Sequence, residues 1–262
     1  AGSFATTLVV FLDLLSTQSA QRVFEQKLYT WMPAGSFTAT FGLMADPLSI
    51  MMCLFVTGIA TLIHIYSIGY MRDDENFSKF FIYLNLFVAS MLLLVLGNNL
   101  LLTFLGWEGV GLCSFLLIGF WHTDLANSSA AKKAFVANRI GDFGFMVGIF
   151  LVWVTVGSIN YADIRAYAPN LAAGTATAMA LLFFLGATGK SAQLPLYTWL
   201  PDAMAGPTPV SALMHAATMV TAGVYLMVRL NPILHEAGWA NDVIAWVGVA
   251  TALVAATIAV AQ

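Results

Sequence analysis

The sequence predicts an all-α membrane protein, a polytopic bundle of transmembrane helices in which one helix is broken. Three observations predict it. Hydrophobic residues make up 60% of the chain and charged residues 9%, against about 45–50% and about 25% in an ordinary globular protein. A soluble fold of 262 residues would lack the charge to cover its surface. The apolar residues gather in runs of about 20, the length that crosses a bilayer core of roughly 30 Å. One of those runs carries Lys190 shortly before Pro195, a charge and a helix breaker in the same span.

Six segments qualify as spans in chain order: 47–69, 80–97, 100–121, 134–157, 174–200 and 209–229. A clipped span at 4–15 precedes them and a nearly complete one at 242–261 follows. The chain opens partway into one apolar run and closes at Gln262 after another, so the expectation is the interior of a longer protein. Residues 1–46 would form a clipped helix plus an extramembrane loop or hairpin, and residues 47–262 a truncated transmembrane domain. Asn98 and Asn99 make a hinge so tight that the second and third spans must be antiparallel neighbours. Between 16 and 46 the Thr38-Ala39-Thr40-Phe41 pattern suits a short hairpin, and 158–170 suits a surface helix with Ile159, Ala162, Ile164 and Tyr167 inward.

Charge placement excludes some functions and leaves orientation nearly undecided. The net charge of -3 gives no basic stripe for nucleic acid. Arg72, Lys79, Lys132 and Lys133 fall on one side of the membrane and Arg22, Lys27, Arg165 and Arg229 on the other. The first four sit in short loops, which favours their side as cytoplasmic. Cys53 and Cys113 lie singly in apolar segments, as buried thiols do. His64 reads as a packing residue, and His122 and His235 as solvated loop residues.

Four ionisable residues lie inside spans: Glu108, Arg139, Asp142 and Lys190, joined by His215. A charge at the bilayer centre costs about 2.5–3.5 kcal/mol on insertion scales, so such residues face protein or water. Arg139 and Asp142, at i and i+3, could neutralise each other on one helix face. Glu108 and Lys190 have no opposite charge on their own helices, so their partners must come from other helices: each other in a working relay, or any ion pair in a purely structural one. His215 gains weight from Thr208, Ser211 and Thr218 on or near its face. The run Gly186-Ala187-Thr188-Gly189-Lys190-Ser191-Ala192-Gln193-Leu194-Pro195 ends a helix where proline removes an amide donor. Such breaks are tolerated in lipid only where freed carbonyls meet protein or water. Burial disfavours a charged amine and a nearby carboxylate restores it. A Glu108–Lys190 pair that opens and closes would therefore switch the proton affinity of Lys190, with His215 as receiver.

The runs Asn98–Gly111 and Lys132–Gly144 resemble the large antiporter-like membrane subunits of respiratory complex I, the bacterial subunit L and mitochondrial subunit 5 family. So do Lys190-Ser191-Ala192-Gln193-Leu194-Pro195-Leu196-Tyr197-Thr198-Trp199-Leu200-Pro201-Asp202-Ala203-Met204 and Gly206–His215. The resemblance extends from about Phe41 to the last residue. It implies two inverted five-helix repeats, each with a broken helix, of which this chain holds the first half-channel. It implies that Glu108 is the functional glutamate, Lys190 the central proton carrier and His215 the continuation of the path. Asp142 and Arg139 would be the gating ion pair. It also implies partner membrane subunits, an integral membrane location, and NADH, flavin, iron–sulfur clusters and quinone held by those partners. This chain itself offers no Cys cluster, Gly-rich nucleotide turn or haem-ligand pair, so no cofactor is expected in it. A multi-subunit sodium/proton antiporter shares the Lys-Ser-Ala-Gln and Pro-Asp-Ala-Met region, and a structural membrane subunit is the third reading.

Overall fold

A computed structural model describes residues 1–35 and 37–261. Ser36 and Gln262, which fall within the two expected divisions of the chain, lie outside the described residues. The order is α1 (Gly2–Ser16), β1 (Phe24–Ala34), β2 (Phe37–Ala45), α2 (Pro47–Tyr70), α3 (Phe77–Leu96), α4 (Leu100–Ile118), α5 (Leu125–Val156), α6 (Tyr161–Tyr167), α7 (Ala173–Lys190), α8 (Thr208–Ala216), α9 (Met219–Arg229), α10 (Asn231–His235) and α11 (Ala240–Ala261). The fold is an all-α bundle with one antiparallel hairpin at one end. Among the described residues, six stretches are long and apolar enough to cross a membrane: α2, α3, α4, α5, α8 with α9 taken as one, and α11.

Local chemistry sets the helix ends. Asp46 opens α2 with a capping box: its carboxylate accepts from Ser49 N, and Ser49 Oγ accepts from Asp46 N. Asn99 caps α4 by accepting from Leu102 N. Asp124 accepts from Ala126 N, so α5 begins at Leu125, nine residues before the apolar run. Lys132 and Lys133 therefore sit on a helix, not in a loop. Gly157 ends α5 in the left-handed conformation at φ 74°, which a side chain would strain. α3 and α4 are antiparallel neighbours, as the Asn98-Asn99 hinge requires. A Cβ on Gly106 would overlap the α3 backbone at Ser90 and Leu94, so only glycine permits this approach.

Three expectations need correction. The fifth span does not continue to 200: α7 stops at Lys190, and the chain runs on in 3-10 turns over Leu196–Trp199 and Asp202–Ala205. The sixth span is not continuous but broken between α8 and α9, where the Thr218 hydroxyl donates to Leu213 O at 2.6 Å. That bond satisfies a carbonyl the helix would otherwise use, and Thr218 O then accepts from Ala222 N to start α9. The surface helix α6 buries Tyr161 and Ile164, while Ala162 faces outward.

The hairpin is longer than Thr38–Phe41 suggests, with strands of 11 and 9 residues and two register shifts. It is strapped to the bundle through the α3–α4 hinge. Asn98 N donates to Gly42 O, Asn98 Nδ2 to Glu25 Oε1 and Asn99 Nδ2 to Thr40 O. A buried ion pair closes the same end. Arg229, at the end of α9, donates to Asp46 Oδ2 at 2.5 Å and Oδ1 at 3.0 Å. Arg229 is thus a buried structural cation, not a solvated flanking charge. Burial works to raise the Asp46 carboxyl, but the hydrogen bonds and charge of Arg229 and the Ser49 bonds outweigh it, holding it below the usual carboxylate range.

His64 behaves as expected of a packing residue, hydrogen-bonded to Ala60 O at 2.7 Å with its ring against Phe81. Both cysteines are free and buried.

Candidate functional site

Helices α5 and α7 meet along a face of small residues, α4 packs against α5, and charges from all three converge there. Gly141 and Gly144 of α5 lie against the α7 backbone at Leu182, Leu185 and Gly189. This close approach carries Lys190, the last residue of α7, into the interior, where it is fully buried. From α5, Asp142 faces it: Lys190 Nζ lies 3.8 Å from Asp142 Oδ1. Arg139 Nη1 is also 3.8 Å from the other oxygen of Asp142 and pairs directly with Glu108 on α4. The four charges form an alternating chain, Glu108–Arg139–Asp142–Lys190, that crosses three helices.

The structure corrects one expected pairing. Glu108 and Lys190 are not in direct contact; Glu108 is partnered by Arg139, and the carboxylate beside Lys190 is Asp142. The cause is helix register. Trp107, one residue before Glu108, points inward and donates its indole N–H to Asp142 Oδ1 at 2.6 Å. That leaves Glu108 on the adjacent, partly exposed face. Arg139 is 47% exposed and borders a groove lined by Phe135, Val136, Ile140 and Phe143. The chain of charges therefore runs from a fully enclosed lysine to the outside of this bundle.

Aromatic rings close one side of the site. Phe145, one turn from Asp142 towards the hairpin end, meets Trp107, Phe104 and Phe183 edge-on, with ring centroids 5.1, 5.2 and 5.4 Å away. This packing fills the hairpin side of the site with aromatic rings; on the other side α7 breaks. There the freed backbone groups find protein partners, as a break inside a membrane demands. Trp199 Nε1 donates to Gly189 O at 3.0 Å, and Gln193 N to Thr188 O. Ser191 Oγ donates across to Val220 O on α9 at 2.7 Å, so the two broken segments touch.

His215 lies near the end of α8, beside the second break. Its ring is 6.3 Å from that of Trp199, and neither ring nitrogen has a hydrogen-bond partner among the described residues. Thr208 and Thr218 bond to Tyr70 and Leu213 and not to His215. Trp199 is the residue that borders both breaks: its indole donates to Gly189 O, next to Lys190, and its ring is 6.3 Å from that of His215.

Sequence reasoning missed three residues here. Trp107 binds Asp142, and its ring lies 5.8 Å from Lys190 Nζ. Its position next to Glu108 was the available signal. Gly111 faces the lysine so closely that a Cβ would lie 2.6 Å from Nζ. Asn138, one turn before Asp142, is buried, with its amide oxygen unpartnered. The Gly111→Ala substitution tests the tightness of the site. Its methyl displaces the flexible ammonium end and not backbone. The expected outcome is a normally assembled protein with a several-fold loss of whatever transport Lys190 supports, checked by ion flux per assembled complex.

Comparison with known proteins gives a consistent result. The family described as NADH:quinone oxidoreductase/Mrp antiporter, TM, matches residues 97–262, and that described as NADH-Ubiquinone oxidoreductase (complex I), chain 5 N-terminus, matches residues 31–81. NADH-quinone oxidoreductase subunit L of Mycobacterium tuberculosis (strain H37Rv) is 50% identical over 260 residues, 99% of this chain and 41% of that protein. Subunit L of Escherichia coli (strain K12) is 48% identical over 261 residues, 98% of this chain and 43% of that one. Among solved structures, the Mrp complex from Dietzia sp. DQ12-45-1b superposes with a TM-score of 0.79 at 30% identity, covering 88% of this chain and 25% of that one. This chain therefore spans about two fifths of the length of the curated relatives it matches. Its helices, its broken segments and the sequence runs that build the charged site are those of an integral membrane protein, and the chain belongs to the NADH:quinone oxidoreductase/Mrp antiporter transmembrane family, with subunit L and chain 5 of complex I among its relatives.

Proposed function

We propose that this chain is the proton-carrying first half-channel of a membrane subunit of NADH:quinone oxidoreductase. The observation that carries the reading is the alternating chain Glu108–Arg139–Asp142–Lys190, ending on a fully buried lysine at a helix break. Structural ion pairs need no such break and no enclosed terminal amine.

The residues divide the work. Arg139 can pair with Glu108, as here, or turn wholly to Asp142, already within 4 Å. With Arg139 on Glu108, the Asp142 carboxylate faces Lys190 and favours its ammonium form. With Arg139 on Asp142, that carboxylate is neutralised and the buried lysine, facing apolar surroundings, releases its proton. His215, beyond Trp199, is the receiver. The Trp107 N–H keeps Asp142 in place through both states. Quinone reduction and the electron carriers belong to partner subunits, and the free energy of that reaction would set the Arg139 position.

The likeness to the Mrp complex supports a second reading, a sodium/proton antiporter subunit. Proton uptake by membrane vesicles containing the assembled complex separates the two. The expected result is proton movement driven by NADH oxidation, independent of sodium, and reduced at least tenfold in Glu108→Gln with assembly unchanged. Sodium-dependent proton movement with no quinone reductase present would support the antiporter. Full pumping in an assembled Glu108→Gln variant would leave Glu108 as a structural partner of Arg139.

A further inference from the structure

Asn138 is a buried polar side chain with half its hydrogen bonding unspent. It is 3% exposed. Its Nδ2 donates to Ala134 O at 2.7 Å, which fixes the amide and leaves Oδ1 as a free acceptor. Lys190 Nζ, 0% exposed, likewise makes no hydrogen bond, since Asp142 is 3.8 Å away.

The helix register puts these two groups together. α4 and α5 are antiparallel, and the Trp107–Asp142 hydrogen bond sets their level. By helix rise alone, one turn along from that bond brings Gly111 on α4 to about the level of Asn138 on α5, and Gly111 is the residue whose added Cβ would lie 2.6 Å from Lys190 Nζ. Asn138 also abuts α7 directly: a Cβ on Gly189 would lie 3.4 Å from Asn138 O and 3.6 Å from its Cα. The ammonium thus hangs between the level of Asp142 and that of Asn138, and a lysine stem with four rotatable carbons can reach either.

We propose that Asn138 is a second, neutral acceptor for the Lys190 ammonium, and that the lysine alternates between the Asp142 carboxylate and the Asn138 amide oxygen during transport. This deepens, and rests on, the assignment of Lys190 as the proton carrier. A neutral acceptor has a definite use. Leaving Asp142 would strand a bare ammonium in an apolar site, a costly intermediate. The Asn138 oxygen receives it with a charge-assisted hydrogen bond but adds no charge of its own, so the proton is held loosely enough to be passed on. A carboxylate at that position would trap it.

The other ionisable groups near Lys190 are Glu108 on α4, Arg139 and Asp142 on α5, and His215 beyond Trp199. Lys133 on α5 is paired with Asp202. On α9, Arg229 is engaged with Asp46 and Tyr225 with Arg229, at the hairpin end. His235 and Asp242, on α10 and α11, flank the opposite end of α7.

The test is the pH dependence of proton pumping by the assembled complex in membrane vesicles, for Asn138→Leu, Asn138→Asp and a Lys190→Met control. A hydrogen bond to the charged form favours it. Removing the acceptor with leucine should move the alkaline limb of pumping to lower pH by about one unit, and adding a carboxylate should move it to higher pH by at least as much. Opposite shifts from one position are not produced by looser packing. No shift in either variant, or shifts of the same sign, would overturn the proposal. If Asn138→Leu fails to assemble, the near-isosteric Asn138→Asp decides alone, and an unshifted profile overturns it. Full pumping in Lys190→Met would remove the carrier assignment itself, whereas loss in Lys190→Met with unshifted Asn138 profiles would remove only the Asn138 proposal.

Discussion

Replacing Arg229 by methionine is expected to cost about 3–5 kcal/mol of stability, enough to deplete the assembled protein, because it leaves the Asp46 carboxylate buried without its partner. Arg229 is 6% exposed and ties several elements at once. Its guanidinium holds Asp46 at the start of α2 and donates from Nε and Nη2 to Tyr225 Oη, which donates in turn to Val95 O on α3 at 2.6 Å. It lies over Tyr161, whose hydroxyl meets Thr103 on α4 at 2.8 Å. Removing it therefore loosens the fixed half of the broken α8–α9 span and, with it, the hairpin end. The double substitution Asp46→Asn with Arg229→Met should recover part of the loss, since no charge is then stranded. The sign of the pH dependence follows from the lowered Asp46 carboxyl. Its folded-state value lies below that of the unfolded chain, so the pair's contribution is complete above about pH 4 and is lost only as pH falls further. The Arg229→Met defect should thus be constant across the physiological range, as measured by the thermal dissociation of the complex from pH 6 to 8.

The membrane class, the main spans and the break at Lys190 were legible in the sequence because their signals are local. Composition and run length identify lipid-facing helices, and Pro195 beside a lone lysine marks where α7 must stop. The second break was not legible. The run from Leu213 to Met219 contains no proline or glycine, and the interruption depends on the Thr218 hydroxyl capturing Leu213 O. The hairpin was legible only in its second strand. β2 carries some inward-facing residues, whereas β1 is exposed along nearly its whole length and has no period-2 pattern to read.

The candidate site divides in the same way. Four of the five residues expected to carry function, Glu108, Arg139, Asp142 and Lys190, form one chain of charges across α4, α5 and α7, and His215 lies apart near the end of α8, but the pairing was not predictable. Whether Glu108 or Asp142 faces Lys190 depends on the rotation of α4 against α5, which the Trp107–Asp142 bond sets. The Asp46–Arg229 pair spans 183 residues of chain. Neither partner stands out in sequence: Asp46 ends a loop segment and Arg229 is a cation at the end of a span.

The largest functional effect is expected at Lys190. Lys190→Met keeps the length of the side chain and removes its charge. Asp142 retains the Trp107 hydrogen bond and lies within 4 Å of Arg139, so no carboxylate is stranded and assembly should survive. Transport should not, because the remaining groups of the charged chain include no other amine that can be enclosed and then neutralised. A passive ion pair would give the opposite result, since removing one end of a structural network alters stability and leaves flux per assembled molecule intact. The decisive measurement is the number of protons moved per NADH oxidised by vesicles bearing the assembled Lys190→Met complex, beside the unsubstituted complex at matched amounts. If Lys190 carries the proton, this ratio falls while assembly remains intact; an unchanged ratio would show that it does not.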